Sequence, residues 1–413
     1  MKLLRLTWRP AGYVRLCYGR QPDASALPYD AQKRWLFSDF WGTADGWSAA
    51  LGDLGHEASD HVIGIPALSD AWYNQLGKSP SSMGSFALDL VRHERPDVLV
   101  LEGVERFTLA WVKSLRSALA PSALLVGVSG FEVDIDGPIV GLDAFFTCRP
   151  DLAKELNVRG MNACHLPHAF DPRIIAAMGT ESGARQPFGF IGSILPGARM
   201  HDARRNVIER LAKRFDFPIY SPAERSAGRA AARYVVRAGA MAVGRMVNNA
   251  RIRLPDHALT TRLKTASQWR EVPKFEYISG LAHRMQPPVF GLEMYRVLRS
   301  FGTTVNVQPG LSNQHATNVR LFEATGVGTC LLTDRSVDIG DYFSDDEVVT
   351  FGTIDEAVER ATFLIENPKA AFEIGARGQR RTLAAHTYKE RMARVIDHLT
   401  SVQNSNPRSH ATL

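Results

Sequence analysis

The chain has 413 residues, 45% of them hydrophobic and 22% charged, with a formal net charge of +6 and a pI near 9.2. That length exceeds one ordinary core, so two domains of about 150–200 residues are expected, and the composition excludes a disordered chain. The longest apolar runs fall short of the roughly 18–20 residues of a membrane span.

The first residues, MKLLRLTWRP, lack a signal-peptide core and predict an opening strand and a cytoplasmic location. Cys17, Cys148, Cys164 and Cys330 stand singly, with no CxxC pair, and are expected as buried free thiols rather than zinc ligands or disulfides. The positive balance suits an anionic partner without separating nucleic acid, phospholipid and nucleotide.

In chain order, RPDVLVLEG reads as a strand after a proline break and ERFTLAWVKSLRSALAP as an amphipathic helix behind it. SALLVGVSGF and LDAFFTC are further strands, RPDLAKELNVRG a short helix and NACHLPHAF a strand. Apolar runs separated by helices of this length predict a parallel sheet covered on both faces. GTESGARQP has no periodicity and marks a domain boundary, giving a first domain over 1–178 and a second over 188–400.

The alternation then restarts. FGFIGSI and TTVNVQP are strands, DARRNVIERLAKRF and NVRLFEATG helices, and TCLLTD and DEVVTF strands again. TIDEAVERATFLIEN and a long helical tail follow, with a closing helix over about 387–402 that can pack on the first domain and a disordered tail over 403–413. The fold class is therefore α/β, two doubly wound Rossmann-like units in series.

One segment departs from this pattern. Between Arg199 and Lys264 there are 15 Lys and Arg against 5 Asp and Glu, and an insertion over about 220–264 sets Arg225, Arg229, Arg233 and Arg237 four apart. On a helix they form a basic stripe beside an apolar side offered by Tyr234, Val235, Met241 and Val247. Such a helix, within Arg225–Arg253, can lie on an anionic membrane surface or be a solvated insertion. Few aromatics interleave with the arginines, which argues against a nucleic-acid partner.

Familiar catalytic signatures are missing: no G-x-x-x-x-G-K-[ST], no G-x-G-x-x-G after the first strand, no G-x-S-x-G and no H-E-x-x-H. GFEVDIDGP places Glu132, Asp134 and Asp136 at alternate positions after a strand. Clustered carboxylates can hold a hard cation, but a surface turn at Gly137-Pro138 or a catalytic role at the carboxyl end of the strand competes with that reading. The most informative stretch is NVRLFEATGVGTCLLTD. If it opens a helix at the carboxyl end of TTVNVQP, its free amides favour a phosphate. Asn318 can cap the helix, Arg320 can fork onto a pyrophosphate and Glu323 can accept from ribose hydroxyls. An ordinary i,i+3 Arg–Glu pair on a solvated helix explains the same residues equally well.

That stretch, with IGDYF, EVVTFGTIDEAVERATFLIENP and GARGQRRTLAAHTYKERMARVIDHL after it, resembles the CgeB-like, family-1-type glycosyltransferases over about Tyr295 to Leu399. The resemblance is weaker over FGFIGSILPGARMHDARRNVIERLA and at LPHAFDP. It implies the GT-B fold, two Rossmann-like domains facing across a cleft. It further implies that Glu323 holds the donor ribose, that Asn318 and Arg320 lie near the diphosphate, that Gly192 and Ser193 form a phosphate-facing loop and that Arg204 points at the same charge. The basic insertion and the absence of a Gly-Gly loop in the first domain depart from the family pattern.

The expected function is sugar transfer from a nucleotide-diphosphate donor to a hydroxyl acceptor, a cell-surface polysaccharide or lipid-linked glycan intermediate. No cofactor or metal is expected, because arginines and amides can stabilise the leaving diphosphate. Glu132, Asp134 and His168 are the candidates for a general base. A sugar-nucleotide 2-epimerase of the same shape and a non-catalytic nucleotide- or glycan-binding assembly protein are the alternatives. The location is the cytoplasm, on the inner face of the membrane if the basic helix docks.

Overall fold

A computed structural model describes residues 1–79, 86–180, 183–194, 199–222, 226–250, 260, 263, 266–267, 277–308 and 315–405. The first domain is built on strands β1 (Lys2–Trp8), β2 (Glu57–Ile63), β3 (Val98–Glu102), β4 (Leu124–Val128), β5 (Ala144–Thr147) and β6 (Ala163–His165). They form one parallel sheet in the order β2-β1-β3-β4-β5-β6. In β3 the run VLVL is wholly buried, as a strand covered on both faces must be.

The second domain carries β7 (Gln186–Ile191), β8 (Ile219–Tyr220), β9 (Met285–Gln286), β10 (Phe301–Asn306), β11 (Cys330–Asp334) and β12 (Val349–Phe351). They too are parallel, in the order β12-β11-β10-β7-β8-β9. Chain direction across the sheet reverses between β1 and β3 in the first domain and between β7 and β10 in the second. Crevices open at the carboxyl ends of strands at such reversals, and ligands sit there.

The chain passes to the second domain after β6 and returns with its last helix. A break between the helices Pro368–Ala385 and Tyr388–Ser405 falls at His386-Thr387, where the Phe170 amide donates to the His386 carbonyl at 2.9 Å. Met392, Val395, Leu399 and Val402 of the last helix then join Leu3, Val98, Val126 and Phe146 in the core of the first domain. Gly46 permits this approach: a Cβ there would lie 2.7 Å from the Tyr388 ring. The last helix runs to Ser405, three residues into the stretch expected to be disordered, and 406–413 lie outside the described residues.

Two further ties join the domains. Arg173, just past the crossing, binds Asp45 and Asp171, each at 2.6 Å. Asp39 accepts from Tyr13 at 2.6 Å and from the Leu292 amide at 3.2 Å. Gly291 precedes that amide with φ +54°, and a Cβ there would strike Asp39.

The four thiols are free, but only Cys330 is buried; Cys17, Cys148 and Cys164 are half-buried, which corrects the expectation for those three. Each stands at or near an element end, where the apolar run that flanks it gives way to loop. Among the described residues no helix is long and apolar enough to cross a membrane.

Candidate active site

A cavity of about 380 Å³ lies between the domains, walled by the carboxyl ends of the first sheet, by Thr317–Val319 and by the first turn of the last helix. Another, of about 870 Å³, sits beyond the β6 edge at Met161 and Val402 and of the candidate residues holds only Asp136.

On the second-domain side, Arg204 projects from the helix Arg199–Arg214 and is almost fully buried. Its Nε and Nη2 donate to the Val307 carbonyl at 3.1 and 2.7 Å, and its Nη1 to the Ser193 carbonyl at 3.1 Å. Those carbonyls end β10 and β7, so one guanidinium spans the reversal point. Burial, and then the neighbouring Arg320 charge, bring its pKa down to about 10, with Asp334 acting the other way. Arg320, the second positive charge near this strand-end crevice, is ion-paired to Glu323 at 2.8 Å. Gly192 shapes the turn after β7: its amide donates to Tyr220 at 3.0 Å, and a Cβ would meet the Phe190 ring.

The helix Arg320–Gly326 does follow β10; its N-cap is Val319, and Asn318, expected as the cap, stands one residue ahead, accepting the Arg320 amide at 3.0 Å while donating to Asn306 at 2.7 Å. The expectation of free amides does not hold over its first turn. Leu321 and Phe322 donate to Asn318 and Val319, so side chains, not that turn's backbone, supply the donors. Glu323 is buried at 7% exposure, with Oε1 3.4 Å from the Tyr295 hydroxyl and Oε2 2.8 Å from Arg320 Nη1. Oε2 is ion-paired but out of line for a hydrogen bond, which leaves it acceptor capacity. Glu323 and Arg320 stand behind the cavity wall rather than on it, while Asn318 lines it. Gln308, two residues past β10, has both side-chain amide atoms buried without a hydrogen-bond partner.

On the first-domain side, His168 lines the cavity. Burial, with Arg391 beside it, drives its pKa down to about 4, so the ring is neutral at pH 7; Glu102 and a hydrogen bond to the Thr317 backbone oppose the shift. Glu132 and Asp134 are exposed and do not line the cavity. Their segment is loop rather than strand. The Asp134 carboxylate accepts the Asp136 amide at 3.1 Å, closing a turn ahead of Gly137. Among the described residues no three His, Cys, Asp or Glu side chains converge as metal ligands.

Several groups escaped the sequence reading. Glu102, at the end of β3, and Glu105, in the turn after it, both line the cavity. Burial pushes the Glu102 carboxyl up, but Arg5, Thr7, Arg9 and Thr43 outweigh it and hold the group below the usual carboxylate range. Arg5 is itself fully buried, bonded to Asp60, to the Ala44 carbonyl at 2.6 Å and to Glu102 at 3.3 Å. Glu105 Oε2 is buried without a hydrogen-bond partner. Arg391 donates Nε to the Pro167 and His168 carbonyls at 3.1 and 3.2 Å and Nη2 to His386 Nδ1 at 3.1 Å, and it adds a positive charge to the cavity wall. Glu102 could have been found from its place: the last residue of an apolar parallel strand points at the crevice.

Residues 204–397 match the family model described as glycosyl transferase-like. That segment is a glycosyl transferase-like domain, and the chain as a whole has the GT-B fold. AviGT4, a glycosyltransferase involved in avilamycin A biosynthesis, aligns over 98% of this chain and 99% of its own, at 13% identity and a TM-score of 0.51. A glycosyltransferase from Rickettsia africae ESF-5 aligns over 98% and 99%, at 7% identity and 0.53. Anabaena Alr3699/HepE, in complex with UDP-glucose, aligns over 97% and 100%, at 11% identity and 0.52. At these identities the structural likeness establishes the fold. No curated protein matches the chain.

Proposed function

We propose that this protein transfers a sugar from a nucleoside diphosphate donor to a hydroxyl acceptor in the crevice between its domains. The observation that carries the reading is the buried Arg204 guanidinium that spans the β7/β10 reversal point through the Ser193 and Val307 carbonyls, with the Arg320–Glu323 pair near it at the start of the next helix. Stabilising that leaving group is the main electrostatic task of such a transfer, and guanidiniums perform it. Glu323 keeps an acceptor oxygen for the ribose, the Asn318 side chain orders the turn beside it, and Gly192 and Ser193 bound the phosphate loop. Gln308 offers a donor and an acceptor to the nucleotide.

Across the cavity, Glu105 is better placed to take the acceptor's proton than Glu132 or Asp134, since its unpartnered oxygen belongs to a cavity-lining residue. Glu102, kept ionised by Arg5, accepts and orients a sugar hydroxyl. His168, neutral at pH 7, is a second acceptor. Such a base serves an inverting displacement. On this reading the donor is a nucleotide sugar of the kind bound by Alr3699/HepE, and the acceptor is a polysaccharide or lipid-linked intermediate met at an anionic membrane.

The test is a screen of nucleotide sugars with and without hydroxyl acceptors, following nucleoside diphosphate release and the sugar product together. Release coupled to a glycosylated acceptor supports the reading. A sugar product formed from donor alone, or binding without turnover across the panel, overturns it.

A further inference from the structure

We propose that the outward face of the helix Ala227–Asn249 is a docking surface for an anionic lipid bilayer. The helix has 23 residues and is placed inside out. Ala230 and Gly244 are buried, and Gly244 permits close contact with the segment that follows the helix: a Cβ there would strike the Leu263 carbonyl oxygen and lie 3.1 Å from Ser267. The opposite face carries Val235, Val236, Val243 and Met246, at 67%, 70%, 46% and 69% exposure. At roughly 100° per residue these four fall within about 100° of one another, a continuous apolar strip turned to solvent. Met241 and Val247, read from sequence as part of the apolar side, are instead half-buried.

Arg229 and Arg233 run along one edge of the strip and Arg245 stands beyond the other. From Arg225 to Arg253 there are seven arginines and no Asp or Glu, although Arg225, Arg251 and Arg253 lie outside the described residues. An apolar strip bordered by cations fits an interface of acyl chains below and negative headgroups above. A second copy of this chain fits it poorly, because two such helices bring arginine against arginine. The helix lies outside the cavity walls, so this surface does not depend on the catalytic reading.

The test is sedimentation of the full chain with phosphatidylcholine vesicles and with mixed phosphatidylcholine–phosphatidylglycerol vesicles. Two double variants accompany it, Val235→Asp/Met246→Asp and Arg229→Glu/Arg233→Glu. All four positions are exposed, so melting temperature and circular dichroism should stay at the parent values and report any misfolding. Binding to the mixed vesicles, weakened about tenfold or more by each double variant and by added salt, is the expected result. Equal binding to neutral vesicles, undiminished binding by either folded variant, no binding at all, or a dimer in solution that Val235→Asp/Met246→Asp dissolves would each overturn the proposal.

Discussion

At the scale of single residues, the donor side turns on Glu323 and the acceptor side on Glu105. Glu323→Gln keeps the shape of a buried group while removing the charge facing Arg320, and should weaken nucleotide binding by about tenfold, roughly 1.4 kcal/mol. Calorimetric titration of the variant checks this. Glu105→Gln should lower kcat by about a hundredfold or more, as loss of a general base does, with donor affinity unchanged, whereas Glu132→Gln and Asp134→Asn should leave kcat within a few-fold; steady-state kinetics on the four proteins separates them. His386 gives a pH signature. It is buried, its Nε2 hydrogen-bonds the Tyr342 carbonyl at 2.9 Å, and burial brings its pKa down to about 4. The unfolded chain therefore takes up this proton first as pH falls below about 6.5. The stabilisation is complete above that pH and is lost as pH drops through about 4, up to about 3 kcal/mol for the group. Urea midpoints between pH 7.5 and 4.5 should fall, and His386→Gln should flatten part of the slope.

At the scale of elements, the last helix belongs by packing to the domain at the other end of the chain. Leu399 is fully buried among Leu3, Val98 and Phe146. Leu399→Ala should cost about 2–5 kcal/mol, and hydrogen exchange should show the loss in β1 and β3, at the opposite end of the chain and in its first quarter. An unchanged first domain would count against that packing. Such elements were legible from sequence where apolar runs were long and uninterrupted, as in β3, β4 and β11. β2 was not, because EASDHVI places Asp60 and His61 in a buried strand. Those polar residues are tolerated since Asp60 pairs with Arg5 and His61 bonds Tyr29, partners a linear reading cannot pair across 55 and 32 positions. The acidic segment at Glu132 takes the surface turn that Gly137-Pro138 offered, with Asp134 closing it, rather than a place at the cavity. The donor side was the more legible half of the site. Its residues cluster in one stretch, whereas Arg5, Glu102 and Arg391 meet only through the fold.

At the scale of the whole molecule, the cavity between the two parallel sheets is lined by Thr317–Val319 from the second domain and, across from them, by Glu102, Glu105, Arg5 and Arg149 of the first and Arg391 of the last helix, while Arg204 and Arg320 do not line it. The most direct test is calorimetric titration of a nucleoside diphosphate panel against the parent protein and Arg320→Gln, with melting temperatures recorded for both. The account predicts saturable binding of at least one nucleoside diphosphate, weakened about tenfold or more in a variant that melts as the parent does. Binding of equal strength in both proteins, or none to the parent, would contradict it.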